Sequence, residues 1–209
     1  AGAIQNLLTI TDNVRYIYLN TNGGSVDAGM KLINVIKNLE SQGIEVNCIA
    51  DTAISMGFVI FQSCNMRYVT RYATLMQHQM SMHGIGGKIY DINSYLVFTN
   101  AMEQELNIMQ AEKIGMTINE FTGRITSDWW LTSRQALAKG VADDIANIKC
   151  LVDNVHEIVT INHMFGDIVL TYMKCPQIAT PIHVSFDGNF TSTPEIYESY
   201  GLKPIYTNI

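Results

Sequence analysis

Residues 14–26 read VRYIYLNTNGGSV, and this run predicts a strand, a turn and the start of a helix. The first six residues are mostly β-branched or aromatic, which favours a buried strand. Two adjacent glycines lie in the turn at 20–25. The apolar residues that follow recur at helical spacing, at Val26, Met30, Ile33, Ile36 and Leu39. This order of elements is typical of the first half of a βαβ unit.

The same alternation of strands, turns and helices continues to about residue 145. Two capping-box pairs, Thr117 with Glu120 and Thr132 with Gln135, mark short helices in its last part. The pattern predicts an α/β fold of repeated parallel βαβ units with right-handed crossovers. The predicted strands are 44–50, 66–70 and 74–78, the predicted second turn is 51–55, and the predicted helices include 56–63 and 92–109.

The chain changes character after Ile145. Its prolines lie in this later part, together with strand-like runs such as 182–186. Asp187-Gly188 is a hairpin-turn signal, whereas 151–173 fits helix and strand templates about equally. We therefore predict a boundary near residue 146, between a first domain of residues 1–146 and a β-rich or mixed extension of residues 147–209.

The composition excludes several functional classes. The net charge is −6, with 13 Lys and Arg against 19 Asp and Glu, and no basic run is present, which disfavours nucleic-acid binding. The most apolar run, 53–61, is broken by Ser55 and Gly57 and is far shorter than the about 20 residues that span a bilayer. No membrane segment is expected.

The four cysteines are far apart in the sequence and form no CxxC motif. This spacing matches neither a zinc site nor a dense disulfide framework. Reduced thiols and a cytoplasmic location are the resulting predictions. The cysteines are Cys48, Cys64, Cys150 and Cys175.

A serine stands between a predicted strand and a predicted helix in Ala53-Ile54-Ser55-Met56-Gly57. At a helix N-terminus the local field favours developing negative charge, and the Met56 N–H would be free to bind an oxyanion. The serine hydroxyl could equally cap the helix without any chemistry. The pattern GxSxG is not met, because Ala53 stands at its first position.

The Gly23-Gly24 pair has two interpretations as well. Adjacent glycines let backbone N–H groups face a ligand at close range, but they also occur in plain tight turns. Neither GxxxxGK[ST] nor GxGxxG is present, so the pair is not a phosphate loop.

A serine nucleophile needs a base, and the base needs an orienting carboxylate. His78, at the end of a strand-like run, and Asp128, ahead of Trp129, are the candidates. Spacing alone does not bring them together in space. The rival aspartates are Asp12, Asp51, Asp91, Asp143 and Asp144, and the nearest rival histidine is His83.

The segments around Gly24, Ser55, His78 and Asp128, taken in this order, resemble the proteolytic subunit of the Clp protease, a serine peptidase of the ClpP/crotonase fold. The resemblance covers 3–145 and implies that fold, with a strand-and-helix handle at 84–115 through which rings of subunits meet. It also implies that the chain begins within the family's first helix and is incomplete at its N-terminus. The resembling segments are 16–26 with Ala28-Gly29-Met30, then 53–57, 76–79, 128–132 and 136–145.

The resemblance assigns roles residue by residue. Ser55 matches the nucleophile, His78 the general base and Asp128 the carboxylate that orients the base. Gly24 and Met56 match the two N–H donors of the oxyanion hole. Family members bind extended peptide as an added strand, and 83–88 with the segment after Gly24 would supply the edges here.

The implied function is that of a Clp-type serine endopeptidase, which hydrolyses peptide bonds of unfolded proteins or peptides. It implies no metal and no organic cofactor, self-association into a ring, and a separate AAA+ unfoldase as the partner that uses ATP. Two alternatives stay open. One is a catalytically silent or regulatory subunit, because Thr126 and Ser127 stand where the family often has an Asp-Arg pair. The other is an acyl-thioester enzyme of the crotonase-type fold, although such enzymes commonly use glutamates.

Overall fold

The computed structural model describes residues 2–82, 86–148, 156–162, 166–173 and 183–187. The chain divides into two compact units, residues 1–149 and 150–209. Within the described residues, no helix combines the length and the apolar character needed to cross a bilayer.

The first unit is built around a five-stranded sheet. Strands β1, β2 and β3 are parallel neighbours, β4 pairs antiparallel with the end of β3, and β5 pairs parallel with its start. The predicted α/β class is therefore confirmed. The elements are α1 (Gly2–Thr9), β1 (Val14–Thr21), α2 (Val26–Ser41), β2 (Glu45–Ile54), α3 (Met56–Ser63), β3 (Arg67–Gln77), α4 (Ile89–Ile114), α5 (Ile118–Arg124), β4 (Trp129–Thr132), α6 (Ser133–Ala138) and β5 (Asp144–Ile145).

Helix α3 lies at the centre of the core, and all eight of its residues are buried. Phe58 and Phe61 are fully inaccessible to solvent, and burial of such a side chain contributes about 1.5–3 kcal/mol. Helix α2 buries only one face, with Ile33, Ile36 and Leu39 inward. Its N-terminus is capped by the Ser25 side chain, which accepts a hydrogen bond from Ala28 N. These two helices fix the loops at the ends of β1 and β2.

Two local predictions were wrong, and both errors concern strand length. The predicted strands 66–70 and 74–78 form one continuous strand, β3. The predicted turn at 51–55 is mostly strand, because Thr52, Ala53 and Ile54 pair with β3. Pairing with a neighbouring strand overrides the local turn preference there. Only one residue is left to make the turn into α3.

A paired polar cluster lies at the start of β3, and we call Gln62, Arg67 and Asp143 the Arg67 cluster. The guanidinium of Arg67 donates to both carboxylate oxygens of Asp143, from Nη2 to Oδ1 at 2.6 Å and from Nε to Oδ2 at 3.1 Å. It also donates from Nη1 to Gln62 Oε1 at 2.6 Å, and Gln62 Nε2 donates to the Val141 carbonyl at 3.1 Å. The cluster ties the connection after α6 to α3 and β3.

Cys48 and Cys64 form a disulfide between β2 and the residue that ends α3. The expectation of reduced thiols is therefore wrong for this pair. Their sequence separation of 16 residues gave no signal, since packing of α3 against the sheet is what brings the two Cα atoms to 5.8 Å. Cys150 and Cys175 lie outside the described residues.

The second unit contains an antiparallel sheet with the strand order β6-β7-β8. Its strands are β6 (His156–Ile161), β7 (Asp167–Met173) and β8 (His183–Asp187). The predicted β-rich extension is confirmed, and the described parts of 156–173 that fitted both templates are mostly strand. Ile168 and Leu170 of the central strand are buried. The predicted hairpin turn includes Gly188, which lies outside the described residues.

Candidate active site

Ser55 forms the turn between β2 and α3 in a strained backbone conformation. Its φ is 56° and its ψ is −122°, and it is the one non-glycine residue with positive φ among the described residues. Such a conformation costs about 1–3 kcal/mol. Ser55 N donates to the Met76 carbonyl at 2.8 Å, and the Ser55 carbonyl accepts from Phe58 N at 2.9 Å. The strained residue is thus held by both β3 and α3.

The Ser55 side chain does not cap α3, although capping was one of its two interpretations. Its Oγ lies 2.9 Å from His78 Nε2 instead. His78 directly follows β3, and Ile54 pairs with Met76 in the parallel sheet, so both residues leave the sheet at the same edge. An imidazole at this distance can accept the hydroxyl proton.

The loop after β1 reaches the same edge and packs closely against the Ser55 turn. Gly23 has a φ of 91°, and a Cβ there would lie 2.6 Å from the Ile54 carbonyl oxygen and 2.8 Å from Ser55 Cβ. A Cβ on Gly57 would lie 2.6 Å from Thr21 Cγ2. Glycine permits the close approach of the loop to the Ser55 turn at Gly23 and of α3 to the end of β1 at Gly57.

Gly24 and Met56 line one cavity together with Ser55 and His78. Within the part of the chain that the structure describes, neither backbone N–H has a hydrogen-bond partner. Unpaired N–H groups beside a serine hydroxyl are donors available to a negatively charged oxygen. All four residues therefore converge on one small region.

Asp128 is exposed and directly precedes β4. Trp129 pairs with Gln77 in the antiparallel ladder, so one further step places Asp128 opposite His78. The Trp129 ring packs on Phe58 at 6.1 Å between centroids. No hydrogen bond between Asp128 and His78 is found among the described residues. The structure brings the carboxylate to the neighbouring strand without joining it to the base.

Several rival residues have other contacts. Asp51 accepts from Thr70 Oγ1 at 2.7 Å, Asp143 belongs to the Arg67 cluster, and Asp144 accepts from Ile145 N at 2.7 Å. His83, the rival base, lies outside the described residues.

The cavity beside Ser55 has a volume of about 70 Å³ and extends to α4. Three buried amide side chains that sequence reasoning missed line it: Gln77, Asn107 and Gln110. The sequence did not distinguish them, because Gln77 follows the apolar Leu75 and Met76 just as a surface glutamine could. Among the described residues, no group of three or more His, Cys, Asp or Glu side chains could hold a metal ion.

The Clp protease family profile matches residues 3–149. The chain belongs to the Clp protease family. The resemblance seen in the sequence is thereby confirmed, and the chain is a member of a family of peptidases.

Curated relatives of this Clp protease family member include three bacterial proteins named ATP-dependent Clp protease proteolytic subunit 2. The protein of Rhodococcus jostii is 32% identical over 145 residues, which cover 68% of this chain and 73% of the relative. That of Tropheryma whipplei is 30% identical over 132 residues, or 62% and 72% of the two chains. That of Bifidobacterium longum is 28% identical over 141 residues, or 66% and 67%.

The handle expected for a Clp protease subunit is described in part. The range 84–115, where it was expected, contains the helix α4, Ile89–Ile114. Of the expected substrate-binding edge at 83–88, residues 83–85 lie outside the described residues, and 86–88 are not in a strand. The edge is therefore not part of the described sheet.

Proposed function

We propose that this chain is a Clp-type serine endopeptidase that hydrolyses peptide bonds of unfolded proteins or peptides. The observation that carries the proposal is the 2.9 Å contact between Ser55 Oγ and His78 Nε2. It is supported by the strained turn that presents Ser55 beside two N–H groups for which the described residues offer no partner. The family membership makes peptide hydrolysis the reaction to which this arrangement belongs.

In the proposed reaction, Ser55 Oγ attacks the peptide carbonyl carbon while His78 Nε2 takes the hydroxyl proton. The negative oxygen of the tetrahedral intermediate accepts hydrogen bonds from the N–H groups of Gly24 and Met56. Such a donor lowers the barrier by about 3–4 kcal/mol. His78 then returns the proton to the leaving amine, and water hydrolyses the acyl-enzyme by the same steps.

Asp128 is the carboxylate that we propose to orient His78. It would accept a hydrogen bond from Nδ1–H, hold the imidazole in the productive tautomer and stabilise its cation. Its register position opposite His78 supports this role. Catalytic hydrogen bonds often tighten only in the substrate complex, and we propose that this bond forms on substrate binding. No metal or organic cofactor takes part.

We also propose that the chain self-associates into a ring and receives substrates from a separate AAA+ unfoldase. The relatives' names contain the words "ATP-dependent" and "proteolytic subunit". Large apolar side chains on α4 are exposed, and such a surface suits a protein contact. They include Ile89, Tyr90, Tyr95, Val97 and Phe98.

In this proposal the peptidase domain spans residues 1–146, and residues 147–209 form a separate extension, in keeping with the two compact units. A cytoplasmic location stays a prediction. The disulfide between Cys48 and Cys64 counts against it, because disulfides are rare in the reducing cytosol. Counting alkylated thiols in protein taken from cells under denaturing, non-reducing conditions would show whether Cys48 and Cys64 are reduced or form the disulfide.

A catalytically silent or regulatory subunit is the second candidate. The absence of an Asp128–His78 hydrogen bond among the described residues favours it, because an unoriented imidazole is a poor base. Such a subunit would bind peptide or partner subunits without turnover.

A fluorophosphonate serine probe distinguishes the two candidates. Intact mass should show one probe added per chain, and peptide mapping should place it on Ser55. Labelling should be lost in Ser55→Ala and His78→Ala. The matched control is Ser41→Ala, at the exposed end of α2, which should label like the unaltered chain. A folded protein that takes up no probe would refute the endopeptidase and favour the silent subunit.

A further inference from the structure

We propose that Glu103 on α4 is a positioning residue for the general base, because its carboxylate holds the backbone two residues after His78. This inference rests on the proposed function and adds a residue to its machinery. The observation behind it is a hydrogen bond of 2.7 Å, which Met80 N donates to Glu103 Oε1.

The segment that follows β3 has little regular structure to hold it. Gln77 is the last residue of β3, and residues 79–82 belong to no helix or strand. Within the described part of the chain, residues 79–82 make no backbone–backbone hydrogen bond. His78 therefore lies between the end of a strand and a segment that the sheet does not fix.

One face of α4 contacts the chain on both sides of His78. Gln110 Oε1 accepts from Gln77 Nε2 at 2.7 Å, one residue before the base, and Glu103 accepts from Met80 N, two residues after it. Glu103 and Gln110 are seven residues apart, which is about two helical turns, so they lie on the same face of α4. The base is thus held between two contacts from a single helix, and helices position a site more precisely than loops do.

The chemistry of the Glu103 contact makes it suitable for holding a backbone segment. Hydrogen bonds from N–H to a carboxylate are short and about twice as strong as bonds between neutral groups. Glu103 is only partly exposed, which reduces competition from water. It takes part in none of the ion pairs between described residues. Its carboxylate is therefore not committed to a basic side chain and can hold the backbone at Met80.

The position of the base matters because proton transfer tolerates little displacement. His78 Nε2 lies 2.9 Å from Ser55 Oγ, within the reach needed for proton transfer. A misplacement of about 1 Å can cost about 10²-fold in rate. Because no hydrogen bond joins Asp128 to His78 among the described residues, contacts of the neighbouring backbone carry more of the orientation of the imidazole. Loss of the Glu103 contact should therefore slow the chemical step.

The Glu103→Met variant tests the proposal by peptide turnover, with urea unfolding as the check of the fold. Its side chain is of similar length and has no carboxylate. We expect kcat to fall by about 10- to 100-fold with little change in KM, because the base is displaced while the peptide site is kept. The rate of fluorophosphonate labelling at Ser55 should fall with kcat. The matched control is Glu105→Met, at an exposed position of α4, which should keep the kcat of the unaltered chain.

Two further variants separate positioning from other roles of this side chain. Glu103→Gln keeps an oxygen that can accept from Met80 N but removes the charge, so it should keep most of kcat and the same pH profile. Met80→Pro removes the donor N–H. In the Met80→Pro background, Glu103→Met should cause no further loss, because two changes that remove the same interaction are not additive.

The outcomes separate this inference from the proposed function. Unchanged kcat in folded Glu103→Met would overturn the inference while the proposed function stands, and Glu103→Ala replaces that variant if it does not fold. Equal losses in Glu103→Gln and Glu103→Met, or additive losses with Met80→Pro, would also overturn it, because the bond to Met80 would then not be the cause. An unaltered chain that takes up no probe at Ser55 would overturn the proposed function and this inference with it.

Discussion

The two ends of strand β3 differ in how far their buried polar side chains are hydrogen-bonded. At its start, Arg67 is 5% exposed and bonds to both oxygens of Asp143 and to Gln62. At its end, Gln77 is equally buried but its Oε1 has no partner among the described residues, and the next residue, His78, contacts a serine in a strained conformation. One strand thus carries a satisfied cluster and an unsatisfied one.

This difference separates structural polar groups from groups available for chemistry. The Arg67 cluster uses its hydrogen bonds to hold the chain together, and little is left there for a ligand. The other end lies at the carboxyl edge of the parallel strands, where ligands commonly bind in open α/β sheets. Substitutions near the end of β3 should therefore reduce activity, whereas substitutions in the Arg67 cluster at its start should reduce stability.

The largest effect is expected from removal of the nucleophile or the base. Ser55→Ala and His78→Ala should each lower kcat by about 10⁴–10⁶-fold, because attack and proton transfer occur in one step. The double variant should be no worse than either single variant, since the two side chains act as a unit. Peptide turnover measures the loss, and urea unfolding checks the fold. Additive losses would contradict the proposed pairing.

A smaller loss is expected from Asp128→Asn, about 10²–10⁴-fold in kcat, because an amide favours the wrong imidazole tautomer. The pH dependence of kcat/KM should change together with the rate. Asp12→Asn, at an exposed site before β1, is the control and should behave like the unaltered chain. An unchanged pH profile in Asp128→Asn would assign the orienting role to another carboxylate.

At the opposite end of β3, Asp143→Asn should reduce stability and leave kcat/KM unchanged. Loss of one partner from a fully buried ion pair costs about 3–5 kcal/mol. The Asp143 side chain is 28% exposed, and we expect about 2–3 kcal/mol after allowing for solvent screening. Urea unfolding measures the change. A parallel fall in kcat/KM of the folded variant would contradict the purely structural role of the Arg67 cluster.

The stability that Asp143 contributes should depend on pH and should fall in acid. Burial raises the pKa of Asp143, but hydrogen bonds from the Arg67 side chain and backbone N–H, with the charges of Arg67 and Lys113, outweigh burial and lower it. An unfolded aspartate titrates near 3.9. The stabilisation is therefore full above about pH 4 and is lost as the pH falls through the lowered folded-state pKa. Asp143→Asn should lack this part of the acid dependence.

The smallest effect is a gain in stability in Ser55→Gly. Relief of the positive φ is worth about 1–3 kcal/mol, and the entropy cost of glycine offsets about 0.5–1 kcal/mol of it. The difference of the two ranges spans about 0–2.5 kcal/mol, and a net gain of about 1 kcal/mol is expected in urea unfolding. Ser55→Ala keeps the Cβ atom and with it the strain, so it should show no such gain. Equal stability of the two variants would mean that Ser55 is not strained.

The sequence predicted the alternation of strands and helices in the first unit, although it split β3 into two strands, and it singled out the residues that meet at Ser55. Periodicity identified α2 and the short apolar α3, and the segments around Ser55 and His78 carried the family resemblance. The catalytic roles of Ser55, His78, Asp128, Gly24 and Met56 stay predictions. The meeting of Ser55 and His78 depends on parallel strands ending at one edge, which spacing alone did not show.

Features that arise from tertiary packing gave little local signal. The positive φ of Ser55 exists because β3 and α3 hold both of its sides, and serine has no intrinsic preference for it. The predicted turn 51–55 is mostly strand because Thr52, Ala53 and Ile54 pair with β3, and this pairing has no signal within the segment itself. Gln77 could not be distinguished from a surface glutamine of a half-buried strand, because its role depends on Gln110, 33 residues further along.

The close approach at Gly23 and Gly57 has a consequence for the genetic robustness of this protein. A single added methyl group would push the loop after β1 away from the Ser55 turn at Gly23, or the end of β1 away from α3 at Gly57. In a complete substitution library, both glycines should tolerate as few alternatives as Ser55 and His78, although neither carries a reactive side chain. The mutational target for inactivation is therefore larger than the set of residues that perform the chemistry.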